Sequence, residues 1–216
     1  MNNETIINNT IAFVKEKLDG ESSGHDWWHI YRVWNLAKKL QNQIGGNIFI
    51  IELAALLHDI ADWKLHESEE QGMIIVETWL LSQNIDENSL NHILSIIKKV
   101  SFKGAGVKDN MNTIEGKIIQ DADRLDAIGA IGIARTFAFG GKFGNEMFNP
   151  NIKVKLHNSF SEYKKSKGTT INHFYEKLLL LKDRMNTQEA KQIAYERHIF
   201  METFLSEFMD EWNAIK

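Results

Sequence analysis

Apolar residues recur at helical spacing along most of this chain. In residues 3–18, Ile6, Ile7, Ile11 and Val14 share one face of a 3.6-residue period. Residues 25–43 repeat apolar positions at Trp27, Ile30, Tyr31, Trp34 and Leu40. Residues 48–57, Ile-Phe-Ile-Ile-Glu-Leu-Ala-Ala-Leu-Leu, are apolar nearly all round, which predicts a central helix buried on every side. Residues 67–83, 86–99 and 113–138 read as further helices. Near the end, Thr187 is placed to cap a helix along which Phe200, Phe204, Phe208 and Trp212 step by four. Pro150 is the only proline, and a barrel or sandwich would need many more turns. No repeat, βαβ alternation or low-complexity linker interrupts the pattern. It predicts one all-α domain.

Two glycine-rich stretches stand out, Ser101-Phe102-Lys103-Gly104-Ala105-Gly106 and Phe139-Gly140-Gly141-Lys142-Phe143-Gly144. Neither has the spacing of a Walker A or dinucleotide fingerprint, and neither follows a strand, which excludes a P-loop. Both read as connections between helices in which glycine supplies positive φ, compatible with a cover over a phosphate site.

Composition narrows the class. With 216 residues, 43% hydrophobic and 25% charged, the chain is an ordinary globular protein, able to bury roughly 70% of its unfolded surface without a disulfide or structural metal. It has no cysteine, which removes thiolate zinc sites, Cys nucleophiles and disulfide scaffolds together. No apolar run reaches the ~18 residues of a membrane span, and the N-terminus lacks the basic start and apolar core of a signal peptide. A cytoplasmic location is the expectation.

The net charge of −4 is unevenly spread. Residues 1–100 carry 8 Lys/Arg against 14 Asp/Glu, while residues 142–184 carry 9 against 4. One basic stretch facing an acidic half suits a small polyanion. It does not suit duplex nucleic acid, which needs a broadly basic surface.

Without cysteine, the chemistry falls to His, Asp and Glu. His-Asp occurs at His25-Asp26 and at His58-Asp59. The second pair ends the most hydrophobic helix of the chain, where both side chains are costly without a partner. Successive helical residues diverge by about 100°, but a cation beside the helix end can be reached by an imidazole from one side and a carboxylate from the other. His25 and His29 stand at i, i+4, with Arg32 further along the same face. Asp121, Asp123 and Asp126 lie in an apolar helical stretch, with Asp123 and Asp126 on one face. Taken singly, each position has an ordinary explanation: helix capping, or a buried ion pair with Arg124 or Arg32.

Taken together they resemble something specific. The order His…His-Asp…Asp on successive helices resembles the HD-domain superfamily of metal-dependent phosphohydrolases. The strings that carry the resemblance are Gly24-His25-Asp26-Trp27-Trp28-His29-Ile30-Tyr31-Arg32-Val33, Leu53-Ala54-Ala55-Leu56-Leu57-His58-Asp59-Ile60-Ala61-Asp62 and Asp121-Ala122-Asp123-Arg124-Leu125-Asp126-Ala127-Ile128-Gly129. They are similar to those of the small single-domain bacterial members, as is His173-Phe174-Tyr175-Glu176-Lys177-Leu178-Leu179. The resemblance spans residues 22–212. It implies a single HD-type helical domain over 1–216, with a metal-site core over 22–138, a basic helical part over 142–184 and a closing helix over 187–213.

Carried over residue by residue, the resemblance implies metal ligands at His29, His58, Asp59 and Asp123, with Asp121 the competitor for the last place. It puts Asp62 beside the attacking water, although a lone Asp followed by Trp63 departs from the Glu-Asp pair of relatives that hydrolyse guanosine tetraphosphate. His25 takes a substrate-facing or capping role. Two imidazoles and two carboxylates suit one divalent ion, Mn²⁺, Fe²⁺, Co²⁺ or Mg²⁺, more than a closed structural zinc. Asp62 would serve as general base, and Arg32, Lys64 and Arg124 would hold phosphates.

The function implied is hydrolysis of nucleoside triphosphates to monophosphate and pyrophosphate. The alternatives are a nucleotide phosphomonoesterase or phosphodiesterase, or a non-catalytic metal- and nucleotide-binding module. The expected partner is a small nucleotide or other phosphate ester, with neither duplex nucleic acid nor membrane, and the chain acts as a monomer or homodimer.

Overall fold

The computed structural model describes residues 2–21, 24, 26–61, 68–102, 105–107, 109–156 and 168–216. Among these residues there is no strand. Nine α-helices follow one another among the described residues: α1 (Asn3–Lys17), α2 (Trp27–Ile44), α3 (Ile48–Leu57), α4 (Glu69–Ser82), α5 (Glu87–Val100), α6 (Ile114–Asp126), α7 (Gly129–Phe143), α8 (Thr170–Glu176) and α9 (Gln188–Trp212). A 3-10 helix, Leu178–Arg184, lies between the last two. The all-α expectation holds. No helix among the described residues is long and apolar enough to cross a membrane.

The chain divides into two compact units. The first comprises Met1–Phe102 and Asp109–Ala122, the second Lys103–Lys108 and Asp123–Lys216. The division falls inside α6, between Ala122 and Asp123.

In the first unit, α3 is the centre, packed against α1, α2 and α5. Its all-round apolar sequence explains this position. Every side chain from Leu53 to Leu57 is buried, and each large aliphatic group so placed contributes about 1.5–3 kcal/mol. Asn47 starts the helix: its Oδ1 accepts from the backbone N–H groups of Phe49 and Ile50 at 3.1 and 3.4 Å. The amphipathic α2 turns Ile30, Val33, Ala37 and Leu40 inward. Across α1 and α4, Phe13 stacks on Trp79 at 4.1 Å between centroids, and the Trp79 indole donates to Thr10 Oγ1 at 3.1 Å. Gln120 of α6 reaches back to the end of α5, donating to the carbonyl of Lys99 at 3.2 Å.

In the second unit, α7 packs on α8 and α9, and the 3-10 helix joins the same two. The aromatic positions spaced by four in α9 are put to different uses. Phe204 meets Phe137 and Phe174 at 5.9 and 5.8 Å, and Phe208 and Trp212 close on Phe148 at 6.1 and 5.0 Å. Phe200 is 53% exposed and stands outside this ladder.

Two sequence expectations change. The span 113–138 forms two helices rather than one, because Ile128 is extended (φ −125°, ψ 164°) and Gly129 has φ +77°. A Cβ at Gly129 would also meet the stem of Arg197 at 2.9 Å, so only glycine fits there. The stretch 139–144, predicted as a connection, is the last turn of α7, with only Gly144 in the left-handed region as its C-cap. Gly140 serves close approach instead: a Cβ there would stand 2.3 Å from Thr170 Oγ1 at the start of α8. Finally, α8 and the 3-10 helix were not assigned from periodicity, since at 7 residues each they span barely two turns. In the other glycine-rich stretch, Lys103 and Gly104 lie outside the described residues.

Candidate metal centre

The site is built where α2 begins and α3 ends. Asp26 caps α2 in extended conformation, and its Oδ1 accepts from the His29 N–H at 2.9 Å. That places His29 in the first turn of α2, on the face that carries Ile30 and Val33 inward, and its side chain is fully buried. At the other end, α3 closes at Leu57, and His58 caps it with helical dihedrals (φ −60°, ψ −38°). His58 and Asp59 follow the most apolar run of the chain and are themselves only 5% and 6% exposed. Packing of α2 on α3 then brings His29 to the pair.

The three side chains converge closely. His29 Nε2 lies 3.2 Å from Asp59 Oδ2, His58 Nε2 lies 3.3 Å from Asp59 Oδ1, and the two Nε2 atoms are 3.3 Å apart. The imidazole planes cross at 72°. His58 Nδ1 is 2.8 Å from the carbonyl oxygen of Ala55. A carbonyl only accepts, so Nδ1 carries a proton, and Nε2 is the ring nitrogen that faces the cluster.

This donor set fits a divalent cation. Nitrogen and oxygen ligands at about 2.1 Å from one ion stand roughly 3.0–3.4 Å from each other, the separations seen here. The set combines a carboxylate with two imidazoles, all buried, the nitrogen and oxygen donor types that first-row divalent ions accept. Among the described residues, His29, His58 and Asp59 are the one group of three or more His, Asp or Glu side chains able to share an ion. Anchoring a ligand histidine through its second nitrogen, as Ala55 does for His58, also sets ring orientation.

The comparisons agree with this geometry. The HD domain pattern matches residues 27–128, which include all three side chains. The uncharacterized protein YpgQ of Bacillus subtilis is 38% identical over 196 residues, covering 90% of this chain and 87% of YpgQ. The chain belongs to the HD-domain family. Among solved members, an HD-superfamily hydrolase from Bacillus thuringiensis is 50% identical and superposes with a TM-score of 0.76, covering 99% of this chain and all of the other. A Lactobacillus plantarum protein at 36% identity reaches a TM-score of 0.90, with 98% of each chain covered. YpgQ has been crystallised in complex with ADP; that structure is 36% identical, with a TM-score of 0.75 over 95% of this chain and 97% of YpgQ.

The remaining site candidates of this HD-domain chain divide by position. Asp123 is half-buried in α6, one residue past the division between the units. Its competitor Asp121 is fully buried. Asp126 has an ordinary partner: Arg135, in the second turn of α7, pairs with its Oδ2 at 2.9 Å. Arg32 is half-buried, whereas Arg124 is buried and donates through Nη1 to the carbonyl of Arg184. His25, Asp62 and Lys64 lie outside the described residues. Two contributors were assigned no role from sequence: Asp26, which caps α2, and Ala55, which acts only through its backbone.

Proposed function

We propose that this chain hydrolyses nucleoside triphosphates to the monophosphate and pyrophosphate. The observation that carries the reading is the buried convergence of His29, His58 and Asp59 at 3.2–3.3 Å, a donor set that calls for a divalent cation. The nucleotide class is supported by the ADP complex of YpgQ, a relative aligned along nearly the whole chain. By the family resemblance Asp123 would complete the ligand set. When bound, the cation supplies an activated water and neutralises charge on the phosphoryl oxygens.

The chain's own residues do the rest. Asp62 accepts a proton from the attacking water as its oxygen bonds to the α-phosphorus, and the α–β phosphoanhydride bond breaks to release pyrophosphate. Arg32, Lys64 and Arg124 neutralise phosphate oxygens, and His25 faces the substrate. The lysines of the basic stretch, Lys142, Lys153, Lys155, Lys164 and Lys165, hold the β- and γ-phosphates as one unit, which leaves the α-phosphorus to be attacked.

The test crosses Mg²⁺, Mn²⁺, Fe²⁺ and Co²⁺ with nucleoside triphosphates and measures phosphate and pyrophosphate together. Pyrophosphate should appear first, and oxygen-18 from water should enter only the monophosphate. Orthophosphate as the initial product would overturn the reading. Asp62→Asn should keep the metal yet turn over ~10²–10⁴ times more slowly, as expected when a positioned base is lost.

A further inference from the structure

His29 is the third residue of α2, so its backbone N–H belongs to the first turn, where no intrahelical acceptor exists. Asp26 supplies one. Its Oδ1 accepts from His29 N at 2.9 Å, and its own carbonyl oxygen lies 3.1 Å from the same nitrogen and 3.3 Å from that of Ile30. The main chain of His29 is therefore held by one residue through both side chain and backbone. The imidazole it carries is fully buried, with Nε2 at 3.3 Å from His58 Nε2 and 3.2 Å from Asp59 Oδ2. At such separations a backbone shift of a few tenths of an ångström alters the donor triangle directly. A frayed first turn would let that shift happen.

We propose that Asp26 is a positioning residue of the metal centre, setting His29 through the cap hydrogen bond as the Ala55 carbonyl sets His58. The inference rests on the reading of His29, His58 and Asp59 as metal donors. The fold supplies its own control. Asp86 caps α5 in the same way, with Oδ1 accepting from Ser89 N at 3.0 Å, and α5 carries none of the three donors. A cap that merely keeps a helix folded and a cap that aims a ligand can therefore be told apart within one protein.

The experiment is calorimetric titration of Mn²⁺ into the metal-free full-length chain, for the parent, Asp26→Ala, Asp26→Asn and Asp86→Ala, each with helicity checked at the assay temperature. Asp26→Ala should raise the Mn²⁺ Kd by about tenfold or more, within the range typical of losing a residue that orients a ligand. Asp26→Asn keeps the acceptor oxygen and should bring Kd back to within about threefold of the parent, since Asn and Asp cap helices equally well. Asp86→Ala should leave Kd unchanged. An Asp26→Ala chain with the parent's affinity would overturn the inference. So would an Asn variant as weak as the Ala variant, or an equal loss in Asp86→Ala. A parent chain that takes up no Mn²⁺ would overturn the metal reading itself, and this inference with it.

Discussion

Both compact units bury charged and polar side chains, but in different combinations. In the second unit, donors meet acceptors. Arg135 pairs with Asp126, Arg184 donates to the carbonyls of Ala105 and Val107, and Arg197 donates to that of Leu125. Burial lowers the pKa of Arg197, and the nearby Asp126 carboxylate acts against that loss. In the first unit, two imidazoles and a carboxylate converge: His29 Nε2, His58 Nε2 and the Asp59 oxygens stand 3.2–3.3 Å from one another, with their ligand atoms facing one point. A buried set already balanced in donors and acceptors is architecture. A buried group of imidazoles and a carboxylate converging on one point is a place an ion can occupy, and the kinds of atoms that meet separate the two.

The strongest way to break this comparison is to remove a member of the His29, His58 and Asp59 cluster. His58→Ala and Asp59→Ala should abolish metal binding and hydrolysis while leaving helicity largely intact, because the core of α3 does not depend on them. Elemental analysis and circular dichroism measure both. The parent should also gain about 2.7 kcal/mol of stability at a Mn²⁺ concentration one hundred times Kd, and these variants should gain nothing. Full metal occupancy in either variant would remove that residue from the centre.

Breaking the balanced set should do the reverse. Arg135→Ala leaves Asp126 buried without that partner and should cost about 3 kcal/mol of stability, toward the low end for a buried pair because the arginine is partly exposed. Denaturant unfolding measures the cost. The Mn²⁺ affinity of the folded chain should not move, and a matching loss of affinity would mean that the two polar sets are not separate in function.

The smallest expected effect concerns packing alone. Gly140→Ala brings a Cβ against Thr170 Oγ1 and should destabilise by about 1 kcal/mol, the overpacking partly offset by alanine's better helix propensity. Adding Thr170→Ala should recover part of that, so the double variant is less destabilised than the sum of the singles. Additive effects would show that the close approach of α7 and α8 does not limit the packing there.

What could be read from the sequence was whatever is encoded locally. The helix over 48–57 is observed with those bounds because an all-round apolar run needs no partner to be recognised. The cap Thr187 and the ends of α1 and α5 were legible, to within a residue or two, for the same reason. His29, His58 and Asp59 were found through short strings that resemble a family. Their meeting was not visible in any of them: His29 and His58 are 29 residues apart, and only the packing of α2 on α3 brings two nitrogens to 3.3 Å. Asp126 and Arg135 show the same limit, since a break at Ile128 and Gly129 decides which arginine reaches that carboxylate. Periodicity and capping report on a few successive residues, so they specify elements. Which buried nitrogen meets which carboxylate, and which charge finds its counterion, depends on how those elements pack, and that was decided by the tertiary structure.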